Sequence, residues 1–388
     1  MSTREENMLG FATGRRLRAG LSAAALSVTC VAAPAVAETM TFGAYMAPKH
    51  PFYDRALEPL LEDLKADPDI DFKVRVIPGG QLLGARESLE GAKNRLADFS
   101  FVVPVYNRTE LPEINLFFQF IAFGDNVVAG TGAVLEAMYL HCPQCLSNYT
   151  DNNTVPLATG SGGQYRMFCK DPANSVADLK GRKIRAVGAL ARLVNMMGGT
   201  PINMPANEGV SAIQRGTLDC LIGPLAWMTS YGYVDTAPNI VNVPMGYVKG
   251  LGLVVMNKDR WQGLSTEARA AMLSHMGELS ARSTIDAYLK PDEELLSQAD
   301  ELGLKPTKGD GSFEELFKAF GEAEVAEVIA AAEASGVKNA AQLVETVMNL
   351  YPKWLEIAET TGNDPQKVGE AYTREVYSKL DPDTFGMN

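Results

Sequence analysis

The sequence predicts an α/β protein of two lobes, with crossover strands at a hinge and a long helix that spans both lobes. Two successive sets of short apolar runs alternate with helical patterns, the first beginning near Thr39 and the second near Gln164. Residues 266–302 then carry an extended helical periodicity. No low-complexity linker separates the two sets, so we expect the lobes to exchange strands, an arrangement that suits a hinge.

The first set predicts strands and helices in alternation. Strands are predicted at 39–45, 72–77 and 99–103, and helices at 52–65 and 85–95. The run that starts at Phe99 is continuously apolar, which is typical of a buried parallel strand. This rhythm indicates βαβ units and a largely parallel sheet.

The second set repeats the rhythm. Its strands are predicted at 165–169, 183–187, 201–204 and 218–222, and its helices at 189–197 and 208–215. Gly216 follows the second of these helices and is a favourable C-terminal stop. A further strand at 249–257 is expected to cross back towards the first lobe.

The predicted lobes are each built from two stretches of chain. Lobe I consists of residues 38–163 and about 252–291, and lobe II of residues 164–251 and about 292–388. The long helix is expected to kink at Pro291, because proline lacks the N–H donor that a helix interior requires.

Residues 1–37 differ from the rest and predict a signal peptide. A patch of arginines precedes the apolar run 19–33, and the small residues 35–37 provide a cleavage site before Glu38. Cleavage would leave the protein in the periplasm without direct membrane insertion, since no later run is long and apolar enough to span a bilayer. An N-terminal anchor, the twin-arginine route and lipidation at Cys30 remain alternatives.

The composition limits the function classes. Of the 388 residues, 46% are hydrophobic and 21% charged, which is ordinary for a globular protein with a sizeable core. The formal net charge of −12 argues against nucleic acid or an anionic membrane as the main partner. An anionic ligand therefore needs a local positive pocket.

The sequence carries no enzyme motif. The histidines His50, His141 and His275 give a hydrolytic triad few candidate bases, and no G-x-S-x-G, H-E-x-x-H or P-loop pattern occurs. We predict no enzyme activity, no cofactor and no metal site. Because carboxylates are plentiful, a carbohydrate-cleaving acid pair is the remaining enzyme alternative.

Four cysteines follow the predicted signal peptide, namely Cys142, Cys145, Cys169 and Cys220. An oxidising compartment favours disulfides, and four cysteines allow three connectivities, which stay open at this point. The first two have the spacing of a redox pair, but a helical stretch precedes them and a polar loop is expected after them. A structural disulfide or spacer loop is therefore favoured over redox activity or metal binding.

Three ordered motifs resemble a known family. They are Pro78-Gly79-Gly80-Gln81-Leu82-Leu83-Gly84 with Glu87 on the next helix, Asp178-Leu179-Lys180-Gly181-Arg182-Lys183-Ile184-Arg185, and the helix 208–214 with Gly216 and Asp219. The chain resembles the DctP-type solute-binding proteins of TRAP transporters over most of its length after the predicted signal peptide. The resemblance implies a periplasmic-binding-protein-like fold that closes on a small organic anion and delivers it to TRAP membrane permease subunits.

Two arginines are the principal ligand-binding candidates. Arg185 is predicted at the carboxyl end of a parallel strand, where open α/β sheets present ligand crevices. Its planar guanidinium offers a fork of donors to a carboxylate, and the resemblance assigns it the ligand clamp. Arg166 matches a second family arginine at the end of the preceding strand. Strand alternation would then send Tyr165 to the opposite face.

The sequence departs from the family pattern after the second-lobe helix. Gly223 stands where the family often has an asparagine that contacts ligand, and Ala206 stands where an aromatic residue is common. Trp227 lies soon after and is predicted to supply a cleft wall, with a core or interface position as the alternative. These departures predict a pocket with an apolar side.

The first lobe contributes candidates from loops at strand ends. These are Tyr45, His50 and Tyr106, and Glu87 is a further candidate on the helix after the Gly79-Gly80-Gln81 turn. Tyrosines suit a closing cleft because they combine a rigid apolar face with a polar tip, whereas a lone histidine is more often structural. A binding protein that reports to a sensor would have the same fold and remains the main functional alternative.

Overall fold

The computed structural model describes residues 38–388, so the predicted signal peptide lies outside the described residues. In chain order the strands are β1 Glu38–Gly43, β2 Phe72–Ile77, β3 Phe99–Val102, β4 Thr154–Gly160, β5 Tyr165–Cys169, β6 Lys183–Arg185, β7 Thr200–Ile202, β8 Cys220–Pro224, β9 Asn239–Val241, β10 Leu251–Asn257 and β11 Lys305–Thr307.

The helices connect these strands and dominate the C-terminal third. They are α1 Glu58–Ala66, α2 Ser88–Lys93, α3 Pro112–Gln119, α4 Val127–Leu140, α5 Pro143–Thr150, α6 Ala189–Met196, α7 Gly209–Gln214, α8 Ala226–Ser230, α9 Lys258–Gln262, α10 Thr266–Thr284, α11 Lys290–Ser297, α12 Ser312–Ala334, α13 Ala340–Thr361 and α14 Pro365–Glu375. Short π-helical turns occupy Tyr53–Leu57 and Ile285–Leu289, and 3₁₀ turns occupy Pro104–Tyr106, Val176–Leu179, Ala206–Glu208 and Tyr377–Lys379.

Two separate sheets form the cores of two lobes. The first has the strand order β2-β1-β3-β10-β4 and the second β11-β9-β5-β8-β6-β7. The largely parallel arrangement expected from the sequence is present, with one antiparallel strand in each sheet: β10 runs antiparallel to both of its neighbours, and so does β5. The strands that enter each sheet from the other lobe reverse direction, which simple strand–helix alternation does not reveal.

Three connections pass between the sheets. Residues 161–164 lead from β4 to β5, and residues 242–250 lead from β9 to β10, the crossover strand expected from the sequence. The third is the long helix, in which α10 packs on β4 and α11 packs on α8. Three segments of chain therefore join the two lobes.

The long helix changes its hydrogen bonding where it passes between the lobes. The π-helical turn Ile285–Leu289 lies directly before α11, and Pro291 occupies the first turn of that helix. Proline cannot donate to the preceding turn, and the wider turn accommodates this missing bond. The predicted interruption is thus present and falls in the turn that precedes Pro291.

The C-terminal helices extend over both lobes. Strand β11 joins the second sheet beside β9, while α13 packs on α4 and α14 packs on α10. The contact between α13 and α4 is close, because Trp354 lies against Gly132, where a Cβ atom would collide with the indole. Trp354 also donates a 2.8 Å hydrogen bond from Nε1 to Glu136, which fixes the two helices side by side.

Two disulfides resolve the cysteine pairing. Cys142 pairs with Cys145, and Cys169 pairs with Cys220 directly across β5 and β8. The segment after the first pair is helix α5 and not the expected polar loop, since Cys142 is the N-cap residue and Pro143 occupies the first helical position. All four of these cysteine side chains are buried.

Candidate functional site

Arg185 is the last residue of β6 and its side chain is only 2% exposed. Nε donates to the carbonyl of Met204 at 2.9 Å, and Nη1 donates to the carbonyl of Ile222 at 3.3 Å. Nη2 donates to the hydroxyl of Tyr106 at 2.9 Å. Backbone carbonyls of the second lobe therefore hold the guanidinium in place, while its third bond reaches the segment after β3 in the first lobe.

The bonding of Arg185 leaves part of its donor capacity free. A guanidinium has five N–H donors, and the three bonds to Met204, Ile222 and Tyr106 leave one on each terminal nitrogen. Burial opposes the charge, but nearby hydroxyls led by Tyr106 favour it, and the pKa of Arg185 is raised. The side chain is thus a permanent buried cation with two unassigned donors.

A cavity of about 30 Å³ lies beside this guanidinium. That volume holds about one or two water molecules. Residues from both lobes and from the long helix line it: Tyr45, Phe101, Val103, Tyr106, Phe118, Gly162, Tyr165, Arg185, Val187, Pro224, Trp227, Leu251 and Tyr288. Four of the sequence candidates, Arg185, Tyr106, Trp227 and Tyr45, are brought together here.

Trp227 and Gly223 form one structural feature. A Cβ atom at Gly223 would collide with the six-membered ring of the indole, so the glycine makes the space that the ring occupies. The distance from the centre of the Trp227 ring to the Cζ atom of Arg185 is 5.3 Å, within the range of a cation–π contact. The missing polar side chain at 223 is therefore replaced by an aromatic wall against the guanidinium.

Tyrosines surround the rest of the cavity. Tyr45, Tyr165 and Tyr288 line it, and within residues 38–388 their hydroxyls make no hydrogen bond. Burial is the main cause that raises the pKa of each of the three. The hydroxyls therefore keep their protons and can donate to an oxygen placed in the cavity.

Arg166 lies on the other face of β5 from Tyr165, and it is Tyr165 that lines the cavity. Arg166 is the second residue of β5, whereas the end of the strand was expected. Because β5 runs antiparallel to β8, Arg166 is nevertheless paired with Gly223, near the carboxyl end of β8. Its Nε donates to Asn242 at 3.0 Å. Burial lowers the pKa of Arg166, and the charge of Asp292 opposes that shift.

Glu87 and His50 also lie outside the cavity lining. Glu87 is exposed and directly precedes α2. His50 is 1% exposed, and its Nδ1 accepts the backbone N–H of Phe52 at 3.2 Å. Its ring packs against Tyr231 at 5.8 Å and Tyr288 at 5.7 Å between ring centres. Burial lowers the pKa of His50 to about 3, so this imidazole is neutral at pH 7.

Sequence reasoning missed several cavity residues. Phe101 and Phe118 belong to runs that read as ordinary core, and Tyr288 belongs to a helix with no distinguishing periodicity. The one available signal was Pro291, which marks the nearby turn where the helix departs from regular bonding.

Within residues 38–388 no group of three or more His, Cys, Asp or Glu side chains could hold a metal ion. In the same part of the chain, no helix has the length and apolarity to cross a membrane.

Comparison with known proteins places this architecture in a family. Residues 42–328 match the bacterial extracellular solute-binding proteins of family 7, the DctP family. The chain belongs to this family. The members are solute-binding receptors, so this family 7 protein is a solute-binding receptor and not an enzyme.

Sequence relatives are distant. The ectoine-binding periplasmic protein TeaA of Halomonas elongata is 23% identical over 209 residues, which cover 51% of this chain and 58% of TeaA. The outer membrane transporter protein TsaT of Comamonas testosteroni is 22% identical over 287 residues, covering 73% of this chain and 83% of TsaT. The chain thus spans little more than half the length of TeaA.

Solved structures show the same two-lobed fold. A TRAP solute-binding protein from Rhodoferax ferrireducens in complex with benzoate has a TM-score of 0.72 and 20% identity, covering 82% of this chain and 99% of that one. A marine metagenome TRAP solute-binding protein in complex with 3-hydroxybenzoate has a TM-score of 0.71 and 21% identity, covering 81% and 98%. The predicted α/β fold of two lobes is therefore confirmed.

Proposed function

We propose that this protein captures a small organic acid in the periplasm by closing its two lobes around the ligand, with Arg185 as the carboxylate anchor. The buried guanidinium of Arg185, with two unassigned donors beside a cavity between the lobes, is the observation that carries the proposal. A fork of charged donors is the arrangement that best recognises a planar carboxylate.

Rigid placement of the anchor supports this role. The carbonyls of Met204 and Ile222 orient the guanidinium before any ligand arrives, so little side-chain freedom is lost on binding. Charge-assisted hydrogen bonds contribute about 1.5–3 kcal/mol each. Two such bonds to one carboxylate would dominate the recognition of a small acid.

Ligand entry requires the lobes to separate. The cavity of about 30 Å³ is far smaller than the pockets of about 300–1,000 Å³ that commonly hold small molecules. Since residues from both sheets line the cavity, parting the lobes would enlarge it. The connections at 161–164, at 242–250 and at Ile285–Leu289 are the segments on which we expect the motion to occur.

Delivery to a membrane partner completes the proposal. Family membership supports a TRAP permease as the recipient of the loaded protein. Bound acids in related proteins, benzoate and 3-hydroxybenzoate, support a carboxylate as the captured group.

A thermal-shift screen with matched ligands tests the proposal. The exported protein, stripped of any co-purified ligand by unfolding and refolding, is heated with benzoate, pyroglutamate and their neutral amide counterparts. A ligand at about 100 times its dissociation constant adds about 2.7 kcal/mol of stability, so acids that bind should raise the melting temperature and the amides should not. Equal shifts with acids and amides, or no shift with any acid across a broad panel, would contradict the proposal.

A further inference from the structure

The walls of the cavity carry a single charged group. Of the lining residues only Arg185 is ionised at neutral pH, since the others are aromatic, aliphatic, proline, glycine or protonated tyrosine. Among residues 38–388, no carboxylate lines the cavity either. The site therefore offers one positive charge to balance a ligand that is enclosed away from water.

Basic groups near the cavity are committed elsewhere. Arg166 donates to Asn242 and to the carbonyl of Tyr165. Arg86 is exposed and lies 5.5 Å from the ring centre of Tyr106. Neither arginine lines the cavity.

Two buried basic groups also fail to provide a second charge. Lys249 donates to the carbonyl of Phe120 at 2.7 Å and lies over the ring of Tyr247. His50 accepts the N–H of Phe52 on Nδ1, so its single ring proton is on Nε2 and the imidazole is uncharged. A second carboxylate in the cavity would have no cation beside it.

The aromatic rings and hydroxyl groups of the cavity walls indicate the chemistry of the rest of the ligand. Phe101, Phe118 and Trp227 present aromatic surface. Hydroxyl protons are supplied at several points by Tyr45 and Tyr288 on the first-lobe and helix sides and by Tyr165 on the second-lobe side. Buried donors of this kind need oxygen acceptors on a ligand, and a neutral oxygen satisfies them without adding a second charge.

We propose that the site selects a ring-bearing monocarboxylate with a neutral oxygen substituent, and rejects dicarboxylates. This inference rests on the proposed capture of an organic acid at Arg185. An enclosed second carboxylate without a partner would weaken binding by roughly 100-fold or more. A hydroxyl in the same place would instead accept a hydrogen bond from one of the tyrosine hydroxyls.

A matched pair of ligands tests the selection directly. Isophthalate differs from 3-hydroxybenzoate by a carboxylate in place of the hydroxyl at the same ring position, and benzoate lacks both. Calorimetry at pH 7 should give comparable or tighter binding of 3-hydroxybenzoate than of benzoate, and binding of isophthalate roughly 100-fold or more weaker. The difference in affinity between isophthalate and 3-hydroxybenzoate should decrease near pH 4, where carboxyl groups begin to protonate.

Tyrosine variants identify which side chain binds the hydroxyl group of 3-hydroxybenzoate. Among Tyr45→Phe, Tyr165→Phe and Tyr288→Phe, at least one variant should weaken binding of 3-hydroxybenzoate more than binding of benzoate and so lose the preference for 3-hydroxybenzoate. If every variant loses the same affinity for benzoate and for 3-hydroxybenzoate, the tyrosine hydroxyls do not recognise the ligand hydroxyl, because such a result would indicate a general packing role.

The outcomes separate this inference from the proposed function. If isophthalate or succinate binds as tightly as the best monocarboxylate, the selection is wrong while capture of an organic acid stands, and Arg166→Met would then identify whether Arg166 supplies the second charge. If only ring-free acids bind, the ring requirement is wrong. If no acid binds, the proposed function and this inference fail together.

Discussion

Nη2 of Arg185 donates a 2.9 Å hydrogen bond to the hydroxyl of Tyr106. This bond joins the end of a second-lobe strand to the 3₁₀ turn Pro104–Tyr106 that follows β3 in the first lobe. Because the hydroxyl accepts from the guanidinium, its own proton is free to donate. A carboxylate beside Arg185 would therefore receive donors from both lobes.

Tyr106→Phe should weaken acid binding. Removal of the hydroxyl deletes the inter-lobe bond and one donor to the ligand, and a bond that involves a charged group contributes about 1.5–3 kcal/mol. We expect the dissociation constant to rise by roughly 10–100-fold in calorimetry, while the far-UV circular dichroism is unchanged. An affinity equal to that of the unmodified protein would show that Tyr106 only fills space.

Gly223→Ala should displace the indole of Trp227. The added Cβ atom meets the ring directly, so either the ring or strand β8 must move. Overpacking of this kind costs about 1–3 kcal/mol of unfolding free energy, measured by urea denaturation, and Trp fluorescence should shift with it.

A second glycine supplies the control for this substitution. A Cβ atom at Gly321, inside α12, would make only an ordinary 3.5 Å contact with Ala122. Gly321→Ala should therefore leave stability unchanged or raise it by up to about 1 kcal/mol, since alanine is the better helix former. If both variants lose similar stability, the collision at Gly223 is not the cause.

His50 should make the protein less stable in acid. Burial lowers the pKa of the folded-state imidazole to about 3, whereas an unfolded histidine has a pKa of about 6.5. The unfolded state therefore binds the extra proton between these values, and stability is complete above about pH 6.5 and falls as the pH decreases towards 3. The loss between pH 7 and pH 4 should be about 3 kcal/mol at most.

His50→Gln isolates this contribution. Glutamine does not titrate and its side-chain oxygen can still accept the N–H of Phe52. The unfolding free energy of the variant, measured by urea denaturation from pH 7 to pH 4, should fall less steeply than that of the unmodified protein. Parallel pH profiles would mean that His50 is not the group that titrates.

The sequence predicted the position of Arg185 well, and the physical reason is local. Arg185 is the last residue of the short strand β6, so its side chain lies at the carboxyl edge of the sheet. The strands Phe72–Ile77 and Tyr165–Cys169 were predicted with their observed bounds for the same reason, since their patterns are contained within six residues or fewer.

Other features depend on contacts between distant segments and could not be read from local patterns. Arg166 and Tyr165 alternate on one strand, and only the packing of β5 decides which of them faces the cavity. Strand β4 was missed because all of its residues are buried, which removes any alternation of apolar and polar residues. Tyr288 reaches the cavity only because the helix crosses between the lobes at Ile285–Leu289.

The most direct measurement is the affinity of the best acid from the thermal-shift screen for Arg185→Met, compared with Arg185→Lys and with Arg215→Met as a charge-matched control. Arg215 is exposed beyond the end of α7 in the same lobe. We expect Arg185→Met to weaken binding by about 100-fold or more, Arg185→Lys to retain part of the affinity, and Arg215→Met to have no effect. A folded Arg185→Met variant that binds the acid as tightly as the unmodified protein would contradict the assignment of Arg185 as the anchor.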